Sequence, residues 1–76
     1  MDETEVRELL SKKGFLKIRK KYGPKHAPII SAPIISADRN GMRIWVELNT
    51  NEFQTSMFDG KQIRRTCGHH NELKDI

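Results

Sequence analysis

The sequence lacks the features that usually cross-link or anchor a small domain. Its 76 residues contain one cysteine, Cys67, so the chain cannot form an internal disulfide. Secreted domains of this size usually need such cross-links, and we therefore expect a cytoplasmic location. The apolar run APIISAPIIS is about half as long as a membrane-spanning helix. The first five residues include three acidic and no basic residues, which predicts no targeting segment, and we expect no membrane partner.

The length of the chain limits the classes of function that it supports. A single domain over residues 1–76 buries only about 60% of the surface that its unfolded chain exposes. Such a core is small, so association as a homodimer or with a partner protein would add to its stability. A deep enzymatic cleft is unusual at this size, and the sequence has no Gly-rich phosphate loop. We therefore expect a non-enzymatic regulatory protein without a cofactor, of the accessory or phage-encoded kind.

Positive charge is concentrated in two short blocks. The net charge is +4, and residues 12–25 contain seven Lys or Arg and no acidic residue. A second basic block covers residues 61–65. Two separated basic blocks in a small domain are typical of a surface that binds a polyanion such as DNA or RNA. The alternative is a solvated charged surface without a ligand.

The N-terminal segment has the spacing of an amphipathic helix. Asp2 is followed three residues later by Glu5, as in a capping box, and the pattern predicts a helix over residues 3–13. Gly14 suits the left-handed position after the helix, and Phe15 should then contact the last turn. The apolar face of this helix contains Val6, Leu9 and Leu10.

Alternation of apolar and basic residues follows the helix. This pattern predicts a half-buried strand over residues 15–21, with Leu16 and Ile18 on its inner side. The outer side of this strand contains Lys17, Arg19 and Lys21. The alternative is a helix that continues through Gly14, where the glycine costs it about 1 kcal/mol.

The Asn40-Gly41 pair predicts a two-residue hairpin turn. One side of this hairpin then contains the pairs Arg39/Met42, Ala37/Ile44, Ile35/Val46 and Pro33/Leu48. The other side contains the pairs Asp38/Arg43, Ser36/Trp45 and Ile34/Glu47. The first side is the more apolar, so it should meet the helix and leave Trp45 on the opposite face. The alternative is that another element covers that face and buries Trp45.

The APIIS repeat runs into the first strand of this hairpin. Pro33 has no amide hydrogen to donate to the ladder, so we expect the strand to begin at about Ile34. The first copy of the repeat lies between Pro28 and Pro33 and should stay outside the sheet. Residues 26–33 are therefore predicted to form an extended arm, used either as a linker or as an interface.

Asp59-Gly60 predicts a second two-residue turn, which pairs residues 53–58 with residues 61–66. The predicted pairs are Phe58/Lys61, Ser56/Ile63 and Thr55/Arg64. Residues 67–76 lack periodicity and are predicted to form a flexible tail. Together the segments predict an α+β fold, in which the helix packs on an antiparallel sheet of three to five strands arranged as a meander.

The predicted fold suggests which residues would bind nucleic acid. The residues expected to contact phosphates are Lys17, Arg19, Lys21, Lys61, Arg64 and Arg65. Trp45 and Tyr22 are candidates for stacking on bases. No helix-turn-helix, zinc-finger or RNA-recognition signature distinguishes DNA from RNA. We predict a small basic protein that binds nucleic acid.

A different class of function uses apolar residues. A protein that inhibits or adapts a host factor would dock through Trp45 and through Ile29 and Ile30 of the arm. Phosphate binding weakens steeply as salt rises, whereas an apolar interface responds little, so salt dependence separates these two hypotheses.

The histidines and the cysteine allow a metal hypothesis. Its ligands would be His26, Cys67, His69 and His70. Zinc sites usually combine two ligand pairs, and here the C-terminal cluster has no second pair. We therefore expect no metal and a surface cluster near the C-terminus.

Three short segments resemble the opening of the HicA-type mRNA-cleaving toxins. Glu8-Leu9-Leu10 is followed by Lys13-Gly14-Phe15, a short strand and Gly23-Pro24-Lys25-His26. The resemblance implies a ribonuclease in which His26 is catalytic. The histidine stands three residues after the glycine and behind a proline, which departs from the family's pattern of a glycine closely followed by the histidine.

Overall fold

The described part of the chain forms a helix, a five-stranded sheet and a 3-10 helix. The computed structural model describes residues 1–22 and 33–76. The elements are α1 (Glu3–Lys12), β1 (Leu16–Tyr22), β2 (Pro33–Arg39), β3 (Met42–Glu47), β4 (Glu52–Phe58), β5 (Ile63–His69) and the 3-10 helix His70–Asp75. The strands are antiparallel and lie in the order β1-β2-β3-β4-β5, so each strand pairs with its neighbours in the chain. The predicted α+β meander is confirmed.

The helix packs on one face of this sheet, which we call the helix face. Val6 and Leu10 of α1 are fully buried there together with Phe15 and with Leu73 of the 3-10 helix. The sheet contributes Ile35, Ala37, Ile44, Val46 and Phe53 to this core. Successive side chains of a strand point to opposite faces, so the residues between these point to the other side. Neither described helix covers that side, which we call the open face.

The ends of α1 follow the predicted capping pattern. Oδ1 of Asp2 accepts a hydrogen bond from the amide of Glu5 at 2.9 Å. At the other end, the amide of Phe15 donates to the carbonyl of Leu10 at 3.0 Å, and Gly14 has a φ of +84°. This is a Schellman motif, and it turns the chain from the helix directly into β1.

The β2–β3 hairpin has the predicted register. Asn40 and Gly41 both have positive φ values, of 48° and 82°, as a type I′ turn requires. All pairs from Arg39/Met42 to Ile34/Glu47 are present. β2 begins at Pro33, one residue earlier than predicted, because its carbonyl still accepts from the amide of Leu48 at 3.2 Å. Residues 26–32 of the predicted arm lie outside the described residues.

The predicted alternation in β1 is wrong at its first residue. The register shifts between Leu16 and Arg19, and Lys17 has a φ of 54°. This bulge places Leu16 opposite Asp38 on the open face, where it is 70% exposed, while Ile18 packs against the core. An extra residue in one strand reverses the facing of the residues before it.

The predicted register of the β4–β5 hairpin is also wrong. The pairs are Phe58/Ile63, Ser56/Arg65 and Thr55/Thr66, a shift of two residues on β5. The connection is therefore a loop over residues 59–62 rather than a two-residue turn. Oδ1 of Asp59 accepts from the amides of Lys61 and Gln62, both at 2.9 Å, and these bonds stabilise the longer loop.

The C-terminal segment is attached to the sheet. Cys67 and His69 are exposed on β5, but His70 is only 6% exposed, so the prediction of a surface cluster is wrong for this residue. Nε2 of His70 lies 3.0 Å from the carbonyl oxygen of Glu47, and its backbone amide donates to Asn51 at 2.8 Å. The segment predicted as a tail thus closes one end of the core.

Candidate nucleic-acid interface

Trp45 lies in the middle of the open face. β3 is the central strand, and the indole is partly exposed. The row that crosses the sheet at this level consists of Arg19, Ser36, Trp45, Gln54 and Cys67. Ser36 is only 4% exposed, and it pairs with Arg19 on one side and with Trp45 on the other. The row combines one aromatic ring with polar side chains and one cation.

Positive charges surround Trp45 on this face. They belong to Arg19 and Lys21 of β1, Arg43 of β3 and Arg65 of β5, as their pairing with open-face residues shows. In the described part of the chain, the side chains of Arg19, Lys21 and Arg65 form no ion pair or hydrogen bond. Three cationic groups are therefore free to contact an anionic ligand.

Arg43 has a partner on the same face. Its Nε donates to Oδ1 of Asp38 at 2.8 Å. This hydrogen bond lowers the pKa of Asp38 below its ordinary value, and the charges of Arg43, Lys17 and Arg19 lower it further. The carboxylate thus remains ionised at neutral pH and offsets part of the positive charge around it.

The structure separates some of the predicted phosphate contacts. Arg64 is adjacent to Arg65, but it pairs with Met57 and therefore points to the opposite face. Its Nε donates to Oδ2 of Asp59 at 3.0 Å. Lys61 lies in the 59–62 loop rather than on the sheet. Of the predicted cations, the open face brings together Arg19, Lys21 and Arg65.

The structure describes no side chain for four other predicted residues. Tyr22 is the last residue of β1, where its backbone pairs with Pro33. His26, Ile29 and Ile30 lie outside the described residues, so the proposed arm interface and the proposed catalytic histidine stay predictions.

Two open-face residues were missed by the sequence reasoning. Phe58 is 63% exposed and pairs with Ile63, which is 58% exposed. Phe58 stands four residues along β4 from Gln54, the partner of Trp45, which corresponds to about 14 Å along the strand. Arg43 was correctly paired with Asp38 in the predicted register, and only its value as a surface cation was overlooked.

A groove of about 350 Å³ lies beside Trp45. Its walls include Ile34, Trp45, Glu47, Glu52, Gln54 and Arg65. The arginine and the two carboxylates give it opposite charges, and the indole and Ile34 give it apolar surface. This composition suits a ligand that is itself flat, anionic at one end and rich in hydrogen-bond donors at another.

No protein-family model matches this chain, and no curated protein or solved structure matches it. Within residues 1–22 and 33–76, no helix is long and apolar enough to cross a membrane. Among those residues, no group of three or more His, Cys, Asp or Glu is placed to hold a metal ion.

Proposed function

We propose that this protein binds single-stranded nucleic acid on the open face of its sheet. The observation that carries the proposal is a lone tryptophan at the centre of the open face, which neither described helix covers. The side chains of Arg19, Lys21 and Arg65 around it form no ion pair within residues 1–22 and 33–76. Bases stack on exposed aromatic rings, and cations along the same surface hold the phosphates. We place this binding in the cytoplasm, as a non-enzymatic regulatory activity of an accessory or phage-encoded protein.

The shape of the face favours a single strand over a duplex. Five strands spaced about 4.8 Å apart make a surface about 19 Å wide, whereas the major groove of B-DNA is about 12 Å wide. A helix or a two-stranded ribbon enters that groove, but this face does not fit. Unpaired bases lie flat on such a surface without entering a groove.

Phe58 extends the proposed path beyond Trp45. The two aromatic side chains lie on the same face about 14 Å apart along the strand direction. An extended single strand covers such a distance with a few nucleotides, so two bases that are not adjacent would stack on Trp45 and Phe58. Arg65 stands in the row between them, opposite Ser56, and would contact an intervening phosphate.

The test is binding of labelled strands of about ten nucleotides, as RNA and as DNA, with duplex DNA for comparison. Titrations at about 50 mM and about 200 mM salt measure the phosphate contribution. We expect both single strands to bind more tightly than the duplex, and binding to weaken severalfold at the higher salt. Binding should also quench the fluorescence of Trp45, the only tryptophan.

The decisive variant is Trp45→Ala. It removes the central stacking surface and should lower the affinity at least about fivefold, as base–aromatic stacking predicts. Met57→Ala, which truncates an exposed apolar side chain on the opposite face of β4, is the control and should change the affinity little. Absence of binding to every nucleic acid at low salt would overturn the proposal.

The second candidate function is a protein-binding inhibitor or adaptor. Phe58 and Ile63 give it support, because they form an exposed apolar pair at the end of the β4–β5 hairpin. Such a pair is a candidate anchor for another protein. Capture of a partner that survives high salt and is lost in Phe58→Ser, with no nucleic-acid binding, would favour this function. The ribonuclease alternative predicts RNA cleavage that His26→Ala abolishes while the protein stays folded.

A further inference from the structure

The groove beside Trp45 contains an arrangement that phosphate binding does not explain. Glu47 and Glu52 both line it, and they are direct cross-strand partners at the end of the β3–β4 hairpin. Like charges directly opposite each other weaken a sheet. In the described part of the chain, neither carboxylate forms an ion pair or a side-chain hydrogen bond. The pair is therefore an unused set of hydrogen-bond acceptors at one end of the groove.

The other groups of the groove restrict the ligand that this pair would take. Trp45 and Ile34 supply apolar surface, and Arg65 supplies a positive charge. A volume of about 350 Å³ is near the lower limit of ligand cavities and suits one nucleotide rather than a longer segment. An ionised carboxylate accepts hydrogen bonds and donates none, so the matching edge of the ligand must consist of donors.

Among the four common RNA bases, guanine has two adjacent donors on its Watson–Crick edge, at N1 and N2. Adenine and cytosine offer one amino group next to an unprotonated ring nitrogen, whose lone pair a carboxylate repels. Uracil offers one N–H between two carbonyl oxygens. Two acceptors on one wall therefore favour guanine over the other three bases.

We propose that this groove holds one guanine base of the bound strand, an inference that rests on the single-strand function proposed above. The base stacks on Trp45, its N1 and N2 donors bind the carboxylates of Glu47 and Glu52, and the neighbouring phosphate contacts Arg65. The cations of the face supply affinity for any strand, and the carboxylate pair selects the base at one position.

The experiment compares four labelled oligouridine strands of about ten nucleotides that carry G, A, C or U at one central position. We expect the strand with G to bind at least about fivefold more tightly than the strand with U. Inosine, which lacks the amino group at N2, should lose most of this preference in the unaltered protein. Free guanosine monophosphate is titrated in parallel to test whether the base binds as tightly without the rest of the strand.

Two variants assign the preference to the carboxylates. The double variant Glu47→Gln and Glu52→Gln keeps the size of both side chains and should abolish the preference for G, while its affinity for the U strand stays equal or rises. The double variant Glu5→Gln and Glu8→Gln removes the same two charges from the exposed surface of α1 and should keep the preference.

Each outcome separates this proposal from the function on which it rests. Equal affinity for all four strands, or a preference that inosine or the double variant retains, overturns the guanine pocket and leaves single-strand binding intact. Absence of binding to every strand and to the mononucleotide overturns both. Guanosine monophosphate that binds as tightly as the strand supports the pocket and overturns the single-strand function.

Discussion

Nε of Arg43 donates a hydrogen bond to Oδ1 of Asp38 across the β2–β3 ladder at 2.8 Å. Both side chains lie on the open face, and the pair is partly exposed. Surface ion pairs of this kind add little to stability. The larger effect of this pair is on the electrostatic potential of the open face. The carboxylate of Asp38 binds the guanidinium group of Arg43, which would otherwise be available to a phosphate.

The first prediction is that Asp38→Asn tightens binding of single strands. The substitution frees Arg43 for one additional phosphate contact, and each such contact steepens the dependence of log K on log salt by about 0.7 for a single strand. We expect affinity at about 50 mM salt to rise about two- to threefold.

Asp59→Asn is the matched control for this prediction. It also removes one carboxylate that accepts from an arginine, but the released residue, Arg64, points to the opposite face. It should change affinity and salt dependence less than Asp38→Asn does. Equal gains in the two variants would mean that net charge alone controls binding, and the open face would lose its special role.

The second prediction uses two adjacent arginines on β5. Arg65 pairs with Ser56 and faces the open side, whereas Arg64 pairs with Met57 and faces away. Arg65→Gln should lower affinity about three- to tenfold and reduce the salt slope by about 0.7, since one phosphate contact is lost. Arg64→Gln should leave both quantities nearly unchanged. The measurement is the same salt series of titrations, and a larger loss in Arg64→Gln would place the ligand on the other side of β5.

The comparison of sequence and structure shows where local signals suffice. Asn40-Gly41 fixed the β2–β3 register because both residues tolerate positive φ and the type I′ turn admits one pairing. The placement of Trp45 opposite the core followed directly from that register. In the same way, Gly14 after α1 marked the end of the helix.

The wrong predictions concern places where a side chain or a tertiary contact determines the backbone conformation. Lys17 adopts a positive φ in a bulge, which nothing in its residue type signals. Asp59 looked like the first residue of a tight turn, but its carboxylate binds two amides further along and lengthens the loop. His70 had no apolar periodicity around it, and the contact of its buried ring is with the carbonyl oxygen of Glu47, which is distant in sequence.

The third prediction concerns stability in acid. Hydrogen bonds from the amides of Gln62 and Lys61, and then from Arg64, lower the pKa of Asp59 below its ordinary value of 3.8. Above pH 3.8 the carboxyl group of Asp59 is ionised in both the folded and the unfolded chain, and its full stabilising effect is present. As pH falls below it, the unfolded chain binds a proton first, so this stability is lost as the pH approaches the folded pKa.

The measurement is the thermal midpoint of the parent chain and of Asp59→Asn between about pH 6 and about pH 2. The parent should be the more stable at the upper end, and the difference should shrink as Asp59 becomes protonated. A difference that stays constant over the whole range would contradict the role assigned to the ionised carboxylate.

The last prediction tests how β5 is attached to the core. Gly68 pairs with Phe53, and a Cβ at position 68 would lie 3.0 Å from Cε1 and 3.1 Å from Cζ of the phenyl ring. Oε2 of Glu72 would be closer still, at 2.5 Å, but it is the end of a flexible side chain and can move away. The ring is 2% exposed and packed in the core, so it cannot move as easily. Gly68→Ala should therefore lower the free energy of unfolding by about 1–3 kcal/mol, as overpacking of a core does.

Thr66→Ala is the control, because Thr66 lies on the same strand and face and is exposed. It should change the free energy of unfolding, measured by urea denaturation, by no more than about 0.5 kcal/mol. Gly68→Ala should cost less free energy of unfolding in a Phe53→Leu background than in the parent chain, because the smaller side chain removes the clash. If the two substitutions were instead additive, the cost of Gly68→Ala would lie in the backbone and not in contact with the ring.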